Sequence, residues 1–181
     1  VDMNDRRVVF VADGRSADTV RQFADHLEER GGDASRIKQA SIVLEARLRH
    51  DMSPAFIAGV TENLTEAEIT FDRFHVMKLI GDAVDEVRRA EVKARPELKG
   101  TRYVWTKNEP NLTARQSAVL DTLASTNLKT ARAWRMRLAF QDIYAQPTRA
   151  WAELFFDKWT GWARRSRLEP MKAVARTMQK H

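Results

Sequence analysis

The sequence predicts an α/β domain joined to an all-helical region. Three observations predict it. Through the first half, short apolar runs closed by turn residues alternate with stretches of helical periodicity. From Thr113 onward the apolar spacing is helical almost to the end. Basic and aromatic residues concentrate in that second part. Alternating strands and helices bury a sheet under helices, whereas a run of helices needs only other helices to cover its apolar faces.

Taken in order, Arg7 to Ala12 (RVVFVA) reads as a short strand, and Asp13-Gly14 as the turn that ends it. The residues ahead of it, VDMND, read as the end of an earlier strand and a hairpin turn, so the chain is expected to begin in mid-fold. Ser16 or Asp18 can cap the next helix, whose Val20, Phe23, Ala24 and Leu27 share one face. Gly31-Gly32 ends it, because glycine tolerates the left-handed conformation past a helix terminus. Residues 35–50 are open to two readings. Ala40 to Leu44 suits a buried strand, while Ile37, Ser41, Leu44 and Leu48 suit one side of a helix.

Ser53-Pro54 is a strong helix start, with Phe56, Ile57, Val60 and Leu64 as the buried side. Glu68 to Phe71 (EITF) is a second short strand, closed by Asp72. A long helix follows, carrying Met77, Ile80, Val84 and Val87 at three- and four-residue spacing. Three Gly or Pro breakers in residues 95–112, Pro96, Gly100 and Pro110, predict a connecting loop. After it, Pro147 starts a new helix with Gln146 or Thr148 near its cap, and Pro170 breaks or restarts the last one.

Among the 181 residues there is no cysteine, which excludes disulfide scaffolds, thiolate zinc sites and a cysteine nucleophile. No apolar run approaches the roughly 20 residues that span a bilayer. No charged-then-apolar leader is visible, so a cytoplasmic protein without membrane partners is expected. The net charge of +6 is unevenly spread: residues 129–181 hold 12 Lys/Arg against 4 Asp/Glu and eight of the fifteen aromatics. A basic, aromatic tail suits a polyanion, because each cation placed on a phosphate releases counterions. The competing reading is a helical hairpin with an aromatic core and a solvated basic face.

Two acidic residues at strand ends, Asp51 and Asp72, are the candidates for chemistry. Magnesium prefers hard oxygen donors, and ligand sites in open α/β sheets gather at the carboxyl ends of strands. Asp is also common there simply as a helix cap. His75, one helical turn beyond Asp72, can share a polar site with it. No glycine-rich phosphate loop, HExxH, GxSxG or EF-hand pattern is present. For polyanion contact the candidates are Arg132, Arg135, Arg137, Arg164, Arg165 and Arg167. Trp159 and Trp162 can stack on unpaired bases or lie in the core.

The strings DMSPAFIAGV, AEITFDRFHVMKLIGDAVDEVRR and LKGTRYVWTKNEPNLTARQ resemble bacterial insertion-sequence transposases of the DDE class (the ISL-three-like branch). RRVVFVADGRSADTVRQFADHLEERGGD and WRMRLAFQDIYAQPTRAWAELFFDKWTGWARRS also read like that family, so the resemblance covers nearly the whole chain. It implies a partial ribonuclease-H-like catalytic domain over residues 1–94, a connecting loop over 95–112 and a helical insertion over 113–181. In such transposases three acidic residues hold two Mg2+ (or Mn2+) ions that cut the strand at the element's end and join it to target DNA.

The resemblance maps the second acidic residue, and hence a metal ligand, onto Asp51. Asp72 is an alternative or a support, and His75 is a support. The first Asp is expected upstream of this chain and the final Glu, in an Asn-Gly-x-x-Glu-like motif, beyond His181. A fragment inactive by itself is therefore expected, in the bacterial cytoplasm on the nucleoid. DNA, both element ends and target, is the implied partner, with a homo-oligomer as a further one. One departure stands out: VLEARLRH, residues 43–50, intervenes where the family runs almost directly into the Asp of DMSP. It predicts a bulge or a strand turned helix, as in a decayed copy. The alternatives are a non-catalytic basic DNA-binding module and an oligomerising helical protein. Phosphate-driven binding falls steeply with salt, whereas apolar association does not.

Overall fold

The computed structural model describes residues 2, 5–14, 16–42 and 54–179. Two compact units divide the chain, Val1–Val76 and Met77–His181, with the break inside one long helix. The described residues are mostly helical, with one small parallel sheet of two strands among them. No helix among the described residues is long and apolar enough to cross a membrane.

In the first unit, Asp2 and Arg7 close a hairpin through paired backbone hydrogen bonds of 2.8 and 3.3 Å. The expected turn is there, but the strand expected over residues 7–12 is not. Beyond Arg7 the described residues form no ladder, and a strand exists only where a partner takes its backbone groups. Phe10 anchors the segment instead, its ring 5.9 Å from that of Phe23 and 5.1 Å from that of His26. Helix α1 (Ala17–Glu29) starts at Ser16 rather than Asp18, which sits in the first turn paired with Arg21. Its end is a Schellman motif: Gly32 N–H donates to the Leu27 carbonyl and Gly31 N–H to that of Glu28, with Gly31 at φ +76°.

Strand β1 (Gln39–Ile42) and strand β2 (Glu68–Phe71) pair in parallel, with Ala40 opposite Ile69 and Ile42 opposite Phe71. The strand reading of residues 39–42 is therefore the one realised. Residues 43–50, with the expected insertion, lie outside the described residues. Helix α2 (Pro54–Asn63) makes the crossover. Side chains alternate across a strand, so Ala40 and Ile69 face the core of Val20, Val60 and Leu64, where Phe23, Phe56 and Ile57 also pack. Ser41 and Thr70 stay exposed.

Gly59 sets the approach of α1 to α2. A Cβ there would lie 2.6 Å from the Ala17 Cα and 3.0 Å from its carbonyl oxygen, both backbone atoms that cannot swing aside. Gly59→Ala is expected to cost about 1–3 kcal/mol as the helices part. A thermal melt of the variant equal to the parent's would show that the contact is looser than it looks.

Helix α3 (Arg73–Glu91) runs from the first unit into the second. In the second unit Ile80, Val84 and Val87 are buried, as the spacing predicts. The stretch 95–112, expected as a loop, holds a helix, α4 (Arg102–Thr106), between two 3-10 turns. Pro96 and Pro110 stand in the first turns of those 3-10 segments, where a missing N–H costs nothing. Their neighbours Leu98 and Trp105 are fully buried. Punctuation residues thus start short elements here instead of leaving an irregular link.

Helices α5 (Ala114–Ala124), α6 (Lys129–Gln141), α7 (Arg149–Arg165) and α8 (Glu169–Gln179) complete the unit. Thr113 and Gln116 form a reciprocal capping box for α5. Thr148 caps α7 just after Pro147, and Pro170 stands in the first turn of α8. Helix α6 has no capping side chain of its own. Glu91, the last residue of α3, supplies it: its carboxylate accepts from Lys129 N, Thr130 N and Thr130 Oγ1, each at 2.8 Å.

Candidate functional site

Sequence reasoning points to two places, an acidic strand end and a basic helical face. At the first, β2 delivers Asp72 to the carboxyl end of the sheet, the end at which the chain also leaves β1 after Ile42. Asp72 Oδ1 accepts from the His75 backbone N–H at 3.1 Å and meets His75 Nδ1 at 2.8 Å. The N–H groups of His75 and Val76 also donate to the Asp72 carbonyl, so this residue starts α3. The His75 side-chain hydrogen bond, helped by the backbone one, holds the Asp72 carboxyl below its ordinary value. A carboxylate on Nδ1 also fixes the imidazole, leaving Nε2 as the ring nitrogen that Asp72 does not engage.

The two side chains are 42% and 26% exposed, so solvent reaches the pair. Beside them the Phe74 ring is exposed and meets His75 edge-on at 5.4 Å. Asp51 lies outside the described residues. Among the described residues no three carboxylate or imidazole groups gather as a metal site would require. Asp72 is engaged as a cap, so the described donors do not by themselves compose a metal centre.

The basic face divides. Arg137 belongs to the interior at 5% exposure, which corrects its place among the surface contacts. It lies on the side of α6 that packs inward, where Nη2 donates to Asn108 Oδ1 at 3.0 Å. Its Nε and Nη1 are buried with no hydrogen-bond partner, and desolvation holds its pKa below the ordinary arginine value. A phosphate cannot reach it without opening the core. Arg164 and Arg165 are exposed in the last turn of α7, where cations also complement the helix dipole. Arg167, just past the helix end, is exposed and left-handed at φ 59°.

Arg132 and Arg135 come together with residues sequence reasoning had kept apart from them. They line a depression of about 260 Å3 with Met136, Trp162, Ser166 and Leu168. Neighbouring turns of α6 bring in the two arginines, α7 brings Trp162, and the α7–α8 link brings Ser166 and Leu168. Arg135 is fastened by Nη2 to the Ala124 carbonyl at 2.7 Å. Arg132 Nε is buried and has no hydrogen-bond partner. The two tryptophans separate in role. Trp159 is core, donating Nε1–H to the Met136 carbonyl at 2.8 Å and meeting the Phe140 ring edge-on at 4.8 Å. Trp162 is 41% exposed.

Sequence reasoning missed Glu91 at the start of α6 and the buried Asp85–Arg88 pair. The second has a local signal, a three-residue spacing on one helix. The first has none, because its partners lie 38 and 39 residues away.

Comparison with known proteins finds relatives along the whole chain. Residues 1–181 match the family described as Transposase, of the DDE class and ISL3 type. The chain is 28% identical over 187 residues to the transposase for insertion sequence element IS1001 of Bordetella parapertussis, covering 99% of this chain and 44% of that protein. It is 27% identical over 209 residues to the transposase for insertion sequence element IS1557 of Mycobacterium tuberculosis, covering 100% of this chain and 45% of that one. The chain therefore spans less than half the length of these relatives. No solved structure matches it.

Proposed function

Because this chain belongs to the DDE-class transposase family of ISL3 type, we propose that it forms part of a DNA transposase. It contributes one acidic position of the catalytic centre and a DNA-contacting helical face. The match across residues 1–181 is the observation that carries this reading. On it, the parallel β1–α2–β2 unit is part of a ribonuclease-H-like domain, residues 113–181 are the helical insertion, and Asp51 is the second acidic residue. When bound, a divalent ion such as Mg2+ or Mn2+ supplies Lewis-acid stabilisation to the attacking and leaving oxygens of phosphodiester transfer.

The chain's own residues take defined roles. Asp51 is assigned as a metal ligand and Asp72 as a support, since the Asp72 carboxylate is engaged at the start of α3. His75 is held by Asp72 in one tautomer beside that strand end. DNA contact falls to the exposed Arg135, Arg164, Arg165 and Arg167 and to the half-buried Arg132, because a polyanion is held by cations it can reach and steered by their field.

A Mn2+ titration of the chain and its Asp51→Asn variant, with DNA retention measured in parallel, tests the assignment. Loss of Mn2+ affinity with DNA affinity unchanged is expected. Equal Mn2+ affinity in both proteins sinks the role of Asp51. DNA affinity that ignores salt between 50 and 200 mM sinks the phosphate-driven reading, which expects a steep fall.

A further inference from the structure

We infer that the depression between α6, α7 and the α7–α8 link receives a single unpaired nucleotide, its base against Trp162 and its phosphate on Arg132 and Arg135. The inference rests on the DNA-contacting reading above and says which form of DNA this part of the surface takes.

Size comes first. At about 260 Å3 the depression falls just below the usual range of small-molecule sites, roughly 300–1,000 Å3. That is room for one ring system and an attached group. A duplex offers a groove about 12 Å wide and rows of phosphates, which are met by protruding helices or flat basic faces. A concavity of this size has little to offer it.

The lining chemistry is also specific. Two guanidiniums and no carboxylate line the walls, so an anion is favoured. Arg135 is fastened to the Ala124 carbonyl and is therefore presented with less freedom to lose on binding. Arg132 lines the same depression, a second cation beside Arg135. Trp162 supplies a half-exposed aromatic face, on which any base can stack whatever its identity. Met136 and Leu168 give apolar edges, and the Ser166 Oγ already donates to the Ala163 carbonyl at 2.7 Å, which holds the rim in place. A base can enter only if it is out of a duplex, at a strand end, in a loop or extruded.

Arg164 and Arg165, exposed on α7 but outside the lining, provide the contrast. They are cations of the same kind that do not line the depression. They should serve single strands and duplexes alike.

The test measures the affinity of the whole chain for a fluorescent single-stranded DNA oligomer and for the same sequence as a duplex. Both are titrated with the parent, Trp162→Ala, Trp162→Phe and the double variant Arg164→Ala/Arg165→Ala. Trp162→Ala is expected to weaken single-strand binding about ten- to a hundredfold and to leave duplex binding within about twofold. Trp162→Phe should recover most of the loss, since a smaller ring still stacks. The double variant should weaken both forms. Single-strand and duplex affinity both unchanged in Trp162→Ala overturn the inference while the DNA reading stands. An equal fall in both forms overturns it too, because Trp162 would then be one part of a general DNA surface. A parent that binds neither form sinks the DNA reading, and this inference with it. If a thermal melt shows that Trp162→Ala unfolds, Arg132→Gln decides. It should lower single-strand affinity about tenfold and flatten its salt dependence, a larger fall than for the duplex, and an unchanged single-strand affinity overturns the inference.

Discussion

Replacing Asp85 with alanine is expected to destabilise the second unit by about 3–5 kcal/mol, the cost of stranding a buried charge. Asp85 is 7% exposed and is surrounded by three guanidiniums. Arg88 meets its Oδ1 with Nε and Nη2, both at 2.8 Å, while Arg89 and Arg102 reach Oδ2 at 3.4 and 3.7 Å. Arg88 is itself buried and also donates from Nη1 to the Leu98 carbonyl at 3.2 Å. Removing the carboxylate leaves that guanidinium in a low-dielectric site without its counterion. Asp85→Asn should cost less, because an amide oxygen still accepts from Arg88. Asp85→Leu combined with Arg88→Met should recover much of the stability, since the buried charges leave together. Urea unfolding of the four proteins orders them. A single alanine variant within about 1 kcal/mol of the parent would mean that Arg88 finds water when its partner goes.

Trp105→Ala should cost a similar amount, about 3–5 kcal/mol, through lost burial and the cavity left behind. Trp105 is fully buried, its ring lies edge-on to Trp134 at 6.1 Å, and its Nε1–H donates to Thr101 Oγ1 at 3.0 Å. Thr101 Oγ1 in turn donates to the Leu98 carbonyl at 2.7 Å, the same carbonyl that Arg88 uses. The short α4 has too few residues to persist by local hydrogen bonding. This indole is what docks it. Trp105→Phe keeps most of the volume and loses the hydrogen bond, so about 1–2 kcal/mol is expected. Hydrogen exchange over residues 95–112 should rise sharply in the alanine variant. Protection unchanged there would show that α4 is held by something other than Trp105.

The candidate sites were unevenly legible. Asp72 and His75 announce themselves by spacing, because residues three apart on a helix start share a face, and the structure joins them at 2.8 Å. Their engagement as a cap is a matter of which atoms face the first turn, and spacing alone leaves that open. Among the arginines, composition marked a basic tail but could not rank its members. Arg135 and Arg137 are two positions apart on one helix, and that turns them to different sides: one is exposed, the other is 5% exposed beside Asn108. Trp159 and Trp162 divide in the same way, three residues apart yet one in the core and one on the pocket wall.

By itself the sequence determined what depends on neighbours along the chain and on the family pattern. Glu68 to Phe71 as a strand, α1 between Ser16 and the Gly31-Gly32 stop, and Thr148 starting α7 all follow from local backbone chemistry: caps, left-handed glycine and side-chain period. The transposase resemblance rested on long ordered strings such as DRFHV and needed no geometry. Tertiary structure decided whatever depends on a distant partner. Residues 8–12 carry a strand's composition but pair with nothing among the described residues, and 95–112 carries a loop's breakers but docks through Leu98 and Trp105. Glu91 starts a helix 38 residues away, and Arg132 and Arg135 meet Trp162 only because α6 lies beside α7. Local propensities are weak next to the burial of a tryptophan or the pairing of a buried charge, so where the two compete the long-range term sets the structure.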